Sequence, residues 1–362
     1  GPVYKGFPKN MVSMTVHSVL ARTPVGMIAE ILVLVGDIQN GSPTDTDLDW
    51  ELQELQHLSS FVKVKKSEEF SGPVPARMDA VDRDVTGDIL VFMDPYVEVW
   101  SSTWLQHLIL PVMENPRTVA VPLIHQLSKS RTLEDKTDIQ PYYSTMTNTF
   151  DIQRMKSRFS GEIQETPSTW EPYDTPFFDG PVFAVHRREF NKLGGADEGL
   201  ARFGGENIEV SLKYWMCRGR VVMVPCTRVG HIPLSSFDIP PVPEGQAKIL
   251  GVRSSGEYMY YGKKADAETI VTVRNFLRIM QVWAKGQSAQ EEFYKAAFGS
   301  VDLPKDWKRF LNDAEDDDND FDREEAARDK NKCENFDWFD RHVLMSIVGL
   351  HHPWSTMDKL PV

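Results

Sequence analysis

The sequence predicts an α/β fold in which short, mostly parallel strands form a central sheet flanked by helices, and three observations carry that expectation. Ile31 to Val35 is an unbroken aliphatic run of the kind found in a strand covered on both faces. Leu48, Leu52, Leu55 and Leu58 then recur at helical spacing, and a second short apolar run, Phe61 to Val64, follows them. After a further helical stretch from Arg77 to Asp84 comes a third run, Asp88-Ile-Leu-Val-Phe-Met-Asp94. Alternation of short buried strands with helices implies a largely parallel sheet with right-handed crossovers, and ligands in such sheets bind beyond the carboxyl ends of the strands.

Composition bounds what such a fold can do. With 362 residues, 41% of them hydrophobic, the chain can bury the core of one large domain or two smaller ones. A formal net charge of -13 disfavours nucleic acid, because lysine and arginine supply most of the affinity for a phosphate backbone. No apolar run is long enough to cross a bilayer, and no signal peptide opens the sequence. Of the three cysteines, Cys217, Cys226 and Cys333, either two are bonded and one is single, or all are reduced.

Taken in order, Asn10 can cap a helix in which Val12, Val16, Val19 and Leu20 share a face, and Pro24 ends it. The strand Ile31 to Val35 leads into Gly36-Asp37, and the strand ending at Asp94 leads into Pro95-Tyr96. Ser101 to Met113 reads as a helix and Thr118 to Leu123 as the strand after it. Gln126 to Thr175 is polar and irregular in pattern.

The most informative stretch is Phe203 to His231. Gly204-Gly205 allow backbone conformations closed to other residues, so Glu206 and Asn207 can be held on a tight turn. A helix follows, with Ile208, Leu212, Trp215 and Met216 on one face and Glu206 and Glu209 at its amino end, and Gly219 stops it. Val221 to Val224 is a short buried strand that delivers His231 just past its end. Asp313 to Glu325 is dense with carboxylates, and nothing spaces them like a calcium loop, so a solvated loop is expected there.

This segment resembles the polypeptide N-acetylgalactosaminyltransferases, whose corresponding stretch runs Trp-Gly-Gly-Glu-Asn, a helix ending Trp-x-Cys-Gly-Gly, then a strand and Pro-Cys-Ser-x-Val-Gly-His. Elsewhere the likeness continues through Thr15-Val-His-Ser-Val-Leu20 in the first helix, Trp170-Glu-Pro172, Asn275, Arg278, Val282 and Trp283 in a later helix, and Lys332-Cys333 with Phe336 and Trp338. The resemblance implies a single GT-A type, Rossmann-like glycosyltransferase domain over residues 1–362, with a nucleotide-binding half to residue 125, an acceptor and donor-sugar half from 126 carrying the acidic loop 313–325, and no lectin domain.

Such a domain transfers GalNAc from UDP-GalNAc to a serine or threonine of a protein or peptide acceptor, with retention of configuration and with manganese on the pyrophosphate. The resemblance places Phe203, Glu206 and Asn207 in catalytic positions and Asp37, Arg77, Asp94, Gly180, Gly204 and Gly205 around the nucleotide sugar. It gives Asp94 and His231 as metal ligands, pairs Cys217 with Cys333, leaves Cys226 single, and implies residence in the secretory pathway, in the Golgi lumen.

Several family positions are altered. Tyr96 stands where the family has a metal-binding histidine, and a phenol with a pKa of about 10 is a poor ligand near neutral pH, which implies a weakened or lost manganese site. Pro181 replaces one of two glycines near the donor sugar, Phe203 replaces a tryptophan, and Ile232-Pro233-Leu234 replaces a stretch ending in arginine. The family's first strand, which ends in His-Asn-Glu ahead of the first helix, corresponds here to Val3 to Pro8, with Gly6-Phe7 near the Asn-Glu position, so that strand is joined ahead of Gly1 or rebuilt from another segment. Two readings therefore stand: a GalNAc transferase, or a catalytically inactive pseudo-glycosyltransferase that binds, scaffolds or regulates.

Overall fold

The computed structural model describes residues 10–36, 46–67, 73–128, 130, 140–147, 152–160, 163–200, 204–232, 259–260, 263–264, 267–298, 321–351 and 353. Helix α1 (Met11–Arg22) opens the described chain, with Val12 and Val16 buried as their spacing requires. Asn10 does stand at its amino end, yet its side chain makes no cap bond there. Glu51 of helix α2 (Thr46–Leu58) takes that role, accepting from the Asn10 and Ser13 amides at 3.1 and 2.7 Å. The strands β1 (Ile31–Gly36) and β2 (Val62–Ser67) pair in parallel, joined by α2 as the alternating pattern demands.

After helix α3 (Pro73–Arg83) comes β3 (Ile89–Met93), the edge of a second sheet whose order is β10 (Tyr173–Asp174), β12 (Arg220–His231), β5 (Thr118–Gln126), β11 (Val182–His186) and β3, with β4 (Val97–Val99) also on β12. Helix α4 (Trp104–Glu114) connects to β5 (Thr118–Gln126). The α/β architecture holds, but the sheet is mixed rather than mostly parallel. Only β5 and β12 (Arg220–His231) run parallel within it, while β11 (Val182–His186) is antiparallel to both β5 and β3. The reason lies between β5 and β11. Where a helical crossover would keep the chain running the same way, the described strands there pair as short antiparallel hairpins, Tyr143–Met146 with Ile152–Met155 and Arg158–Ser160 with Ile163–Glu165, and the chain re-enters the sheet reversed.

Those hairpins also correct the expectation of an irregular stretch from Gln126 to Thr175. Strand β6 (Tyr143–Met146) pairs with β7 (Ile152–Met155), β8 (Arg158–Ser160) with β9 (Ile163–Glu165), and β10 (Tyr173–Asp174) joins the main sheet. Strand β12 is also longer than Val221 to Val224, because a register shift between Val224 and Arg228 lets pairing with β5 resume and run to His231.

The largest apolar cluster lies between this sheet and the later helices: α5 (Arg187–Lys192), α6 (Glu206–Met216), α7 (Ala267–Trp283), α8 (Ser288–Phe298), α9 (Asp322–Lys330) and α10 (Phe336–Phe339), the last followed by a π-helical segment, Asp340–Val348. Phe190, Tyr214, Phe293, Phe336 and Phe339 are all fully enclosed there. Charged groups inside it are paired. Lys213 Nζ, with its side chain 1% exposed, lies 2.9 Å from Glu209, 3.4 Å from Glu324 and 2.6 Å from the Gly195 carbonyl oxygen. Arg278 likewise donates to Asp197 at 2.6 Å.

Glu324 belongs to the acidic stretch expected to be a solvated loop. From Asp322 that stretch is helix, and Glu324 turns inward because Lys213 needs a second carboxylate; residues 313–320 lie outside the described residues. The disulfide Cys217–Cys333 ties the end of α6 to the chain 116 residues later, as the family resemblance implies, and Cys226 is free. In the chain-entropy model, closing a loop of that size contributes about 4–5 kcal/mol.

Candidate functional site at the end of the Asp94 strand

The site gathers where β3, β12 and β11 end. Asp94 follows the last residue of β3, and its amide donates to the Pro181 carbonyl oxygen at 2.9 Å, which fixes the strand end against the start of β11. His231 closes β12 opposite Val97 of β4, so the sheet itself brings the two predicted ligands together. His231 Nε2 stands 3.8 Å from Asp94 Oδ2, beyond hydrogen-bond reach, and is buried without a hydrogen-bond partner.

Asp94 is not waiting for a cation. Arg77, reached from α3, donates to its Oδ1 at 3.1 Å. Burial alone would raise the Asp94 pKa, but the positive charge around it, Arg77 included, holds the carboxyl below the usual range. For His231 burial wins: it pushes the imidazole below its ordinary pKa against the pull of the Asp94 carboxylate, so the ring is neutral near pH 7. Arg77, expected as a phosphate or ribose contact, is thus already engaged.

Tyr96 completes the change. Its side chain is 3% exposed and packs with Met11, Met14, Leu127 and Ile232, its ring 5.4 Å from that of His231. The aromatic ring thus serves the core beneath the site. Manganese needs several oxygen or imidazole ligands converging on one point. The neutral, unpaired His231 fits such an ion; the engaged Asp94 and the core-facing Tyr96 do not, and among the described residues no group of three or more His, Cys, Asp or Glu side chains could hold a metal.

The second part of the site is the amino end of α6. Gly204 and Gly205 have φ of 105° and 95°, in the left-handed region, as the Gly-Gly pair predicts. At Gly205 packing adds to that, since a Cβ there would stand 2.9 Å from Ile279 Cδ1 of α7. Glu206 folds back to accept from the Gly204 amide at 2.8 Å, and Asn275 donates to the Gly204 carbonyl oxygen at 2.8 Å. Asn207 donates to the Phe178 carbonyl oxygen at 2.6 Å and faces Gly180, whose own φ is 100° and whose added Cβ would lie 3.6 Å from Asn207 Cβ. The corner therefore brings together Glu206, Asn207, Gly180, Gly204 and Gly205. Asp37 and Phe203 lie outside the described residues.

One group was not expected. Asp179 accepts from Arg154 Nε at 2.8 Å and from the Tyr142 hydroxyl at 2.9 Å, and the Arg154 guanidinium covers the Tyr142 ring at 4.6 Å. Both Asp179 and Arg154 act electrostatically on His231, so a second ion pair borders the Asp94 end. Arg154, on a hairpin strand 25 residues before Asp179, carried no motif that could have found it.

No protein-family model matches the chain. Among curated proteins, polypeptide N-acetylgalactosaminyltransferase 11 of Xenopus tropicalis is 37% identical over 218 residues, 60% of this chain and 35% of that protein. N-acetylgalactosaminyltransferase 7 of Homo sapiens is 28% identical over 344 residues, 94% and 46% respectively. The inactive polypeptide N-acetylgalactosaminyltransferase-like protein 5 of Macaca fascicularis is 29% identical over 283 residues, 77% and 55%. The chain thus spans about half the length, or less, of most of the curated relatives it matches. Among solved structures, that of GalNAc-T7 with UDP, GalNAc and Mn2+ matches with a TM-score of 0.71 at 26% identity, over 95% of this chain and 56% of that one. The sequence motifs and this structural match agree over nearly the whole length, so the chain is similar throughout to the polypeptide N-acetylgalactosaminyltransferases.

Proposed function

We propose that this chain is a pseudo-glycosyltransferase: it keeps the donor-sugar corner of a GalNAc transferase and binds rather than transfers. The observation that carries this reading is the Arg77–Asp94 ion pair, which gives the metal-ligand position an internal cation. Tyr96, turned into the core, supplies no ligand in its place. Losing one electrostatic contact to a developing charge costs about 3–4 kcal/mol, a hundredfold or more in rate, and here the metal contacts fail together. The partner is a protein or peptide segment of the kind its relatives' names imply as acceptor, held beside the α6 corner. The disulfide fits the oxidising secretory pathway, and the Golgi lumen is the compartment proposed. Among the described residues no helix is long and apolar enough to cross a membrane.

The second reading, transfer of GalNAc from UDP-GalNAc to serine or threonine, is favoured by the intact Glu206–Asn207 corner against Gly180. Calorimetry with UDP and manganese, followed by a transfer assay with UDP-GalNAc and a threonine-bearing peptide, separates the two. The expected outcome is no manganese-dependent heat at millimolar ligand and no glycopeptide. Manganese-dependent UDP binding together with glycopeptide formation establishes the enzyme reading instead.

A further inference from the structure

Five charged side chains meet in the core beside α6, and their signs do not balance. Glu209 and Lys213 stand one turn apart on α6, Glu324 reaches in from α9, Asp197 from the chain after α5 and Arg278 from α7, and all five are buried. Arg278 answers Asp197 at 2.6 Å, with its guanidinium 5.0 Å from the Phe321 ring. That leaves Lys213 between two carboxylates, 2.9 Å from Glu209 and 3.4 Å from Glu324. With both ionised, the cluster would hold one uncompensated negative charge out of reach of water, which is costly.

The geometry points to the carboxyl that relieves it. Glu324 accepts a hydrogen bond from the Lys213 ammonium, whereas among the described residues neither oxygen of Glu209 accepts one. Oε1 of Glu209 meets the ammonium as an ion pair without hydrogen-bond alignment, and a carboxyl so placed loses least by keeping its proton. Burial accordingly raises Glu209 to about 7, while Lys213 pulls the other way. The charged groups at the rim are matched. Arg323 bonds Glu198 and the Gly194 carbonyl oxygen, with Asp82 of α3 also acting on it; Glu325 pairs with Lys285, and Arg274 donates to the Gly199 carbonyl oxygen.

Connectivity decides what moves when that proton leaves. Glu209 and Lys213 belong to one helix and stay together, while Glu324 belongs to another. The carboxyl end of α9 is anchored by Arg328 on the Val282 carbonyl oxygen, by Asn331 on the Lys192 carbonyl oxygen and by the Cys217–Cys333 bond. Its amino end rests on Glu324 and on the half-exposed Arg323 pair, which water weakens.

We propose that α9 is a pH-operated latch on α6: the proton kept by Glu209 lets Glu324 close on Lys213, and its loss repels Glu324 and lets the amino-terminal turns of α9 swing outward about the disulfide. The functional corner adjoins this latch, because the Glu209 amide donates to the Gly205 carbonyl oxygen at 2.8 Å. Helix α6 keeps its shape while the face behind Glu206 and Asn207 is uncovered. The latch stands whether that corner binds or transfers.

Closure raises the Glu209 carboxyl above its ordinary 4.5, so closure is fully favoured below that value, weakens as the pH rises from there to about 7, and levels off above. His231, whose folded-state value is lowered, acts in the opposite direction and cannot imitate this. The test is residue-resolved hydrogen exchange from about pH 5 to pH 7.5, corrected for the intrinsic rate at each pH. Protection of Asp322–Lys330 is expected to fall about tenfold or more between pH 5 and pH 7, with β5 unchanged. Glu209→Gln, which cannot ionise, should hold α9 at its acid-side protection throughout. Glu324→Gln, which leaves one carboxylate for Lys213, should lower protection at every pH and remove the slope. No fall in the parent protein, an equal fall in β5, or a fall that survives Glu209→Gln overturns the proposal. Should Glu209→Gln fail to fold, a slope that persists in Glu324→Gln overturns it equally.

Discussion

The neighbourhood of α6 and the neighbourhood of β1 are built to opposite rules. Around α6 every large side chain meets others, the buried ammonium of Lys213 has two carboxylates, and a disulfide closes the helix end. Around β1 a cavity runs the length of the strand, and the ionic groups stand at its rim. The first region is saturated and needs nothing further to hold its shape. The difference teaches that tight packing and internal ion pairing are concentrated around α6, while the chain beside β1 leaves room along the strand.

The comparison breaks most directly at Lys213. Lys213→Met would leave Glu209 and Glu324 buried without a cation, and the loss of stability by urea unfolding is expected to be about 3–5 kcal/mol. Burial already pushes Glu209 up to about 7, with Lys213 opposing it, so the variant should retain a proton on that carboxyl to higher pH. A loss under about 1 kcal/mol would show that the α6 region is not saturated in the sense described.

Next in size is the covalent tie. Replacing both cysteines, Cys217→Ala with Cys333→Ala, is expected to lower stability by about 2–4 kcal/mol, below the chain-entropy figure because an unfolded chain without the bond retains some structure, and to be visible as an earlier thermal transition than that of the oxidised parent protein. The smallest effect belongs to the rim of the cavity. His231 has a folded-state pKa below its unfolded value because it is buried, so the unfolded chain takes up a proton that the folded chain resists. Stability is therefore retained above pH 6.5 and declines as the pH falls from there toward the lower folded-state value. His231→Asn should flatten that decline in a pH series of urea midpoints.

The sequence discloses these two regions unequally. The α6 unit is legible because its signals are local: two glycines at positive φ, an apolar stripe and a terminal histidine; its end is not, since the helix stops at Met216 and the left-handed turn falls on Arg218, φ 66°, ahead of the expected Gly219. The order of helices and strands through β3 is legible for the same reason, since periodicity and breakers lie within each element. Strand direction is not local. Nothing in Val182–His186 distinguishes a strand returning from a hairpin from one arriving through a helix, so the mixed sheet had to be seen.

Burial of charge is equally hidden. Glu324 sits in a stretch whose composition reads as solvated, and its partner lies 111 residues earlier. Arg154 and Asp179 meet only because a hairpin folds over the sheet end. Within the site, Tyr96 in place of histidine could be read directly, whereas the engagement of Asp94 by Arg77 could not, because it depends on where α3 lies.

The Cys217–Cys333 bond has one more consequence. A protease that severs the backbone anywhere between those two residues produces two pieces that still migrate as one under non-reducing electrophoresis. Only a thiol reagent would part them. A nicked molecule would thus keep its α6 corner joined to the Phe336–Phe339 helix that packs beneath it, and damage between the two cysteines would pass unnoticed until the molecule met a reducing compartment.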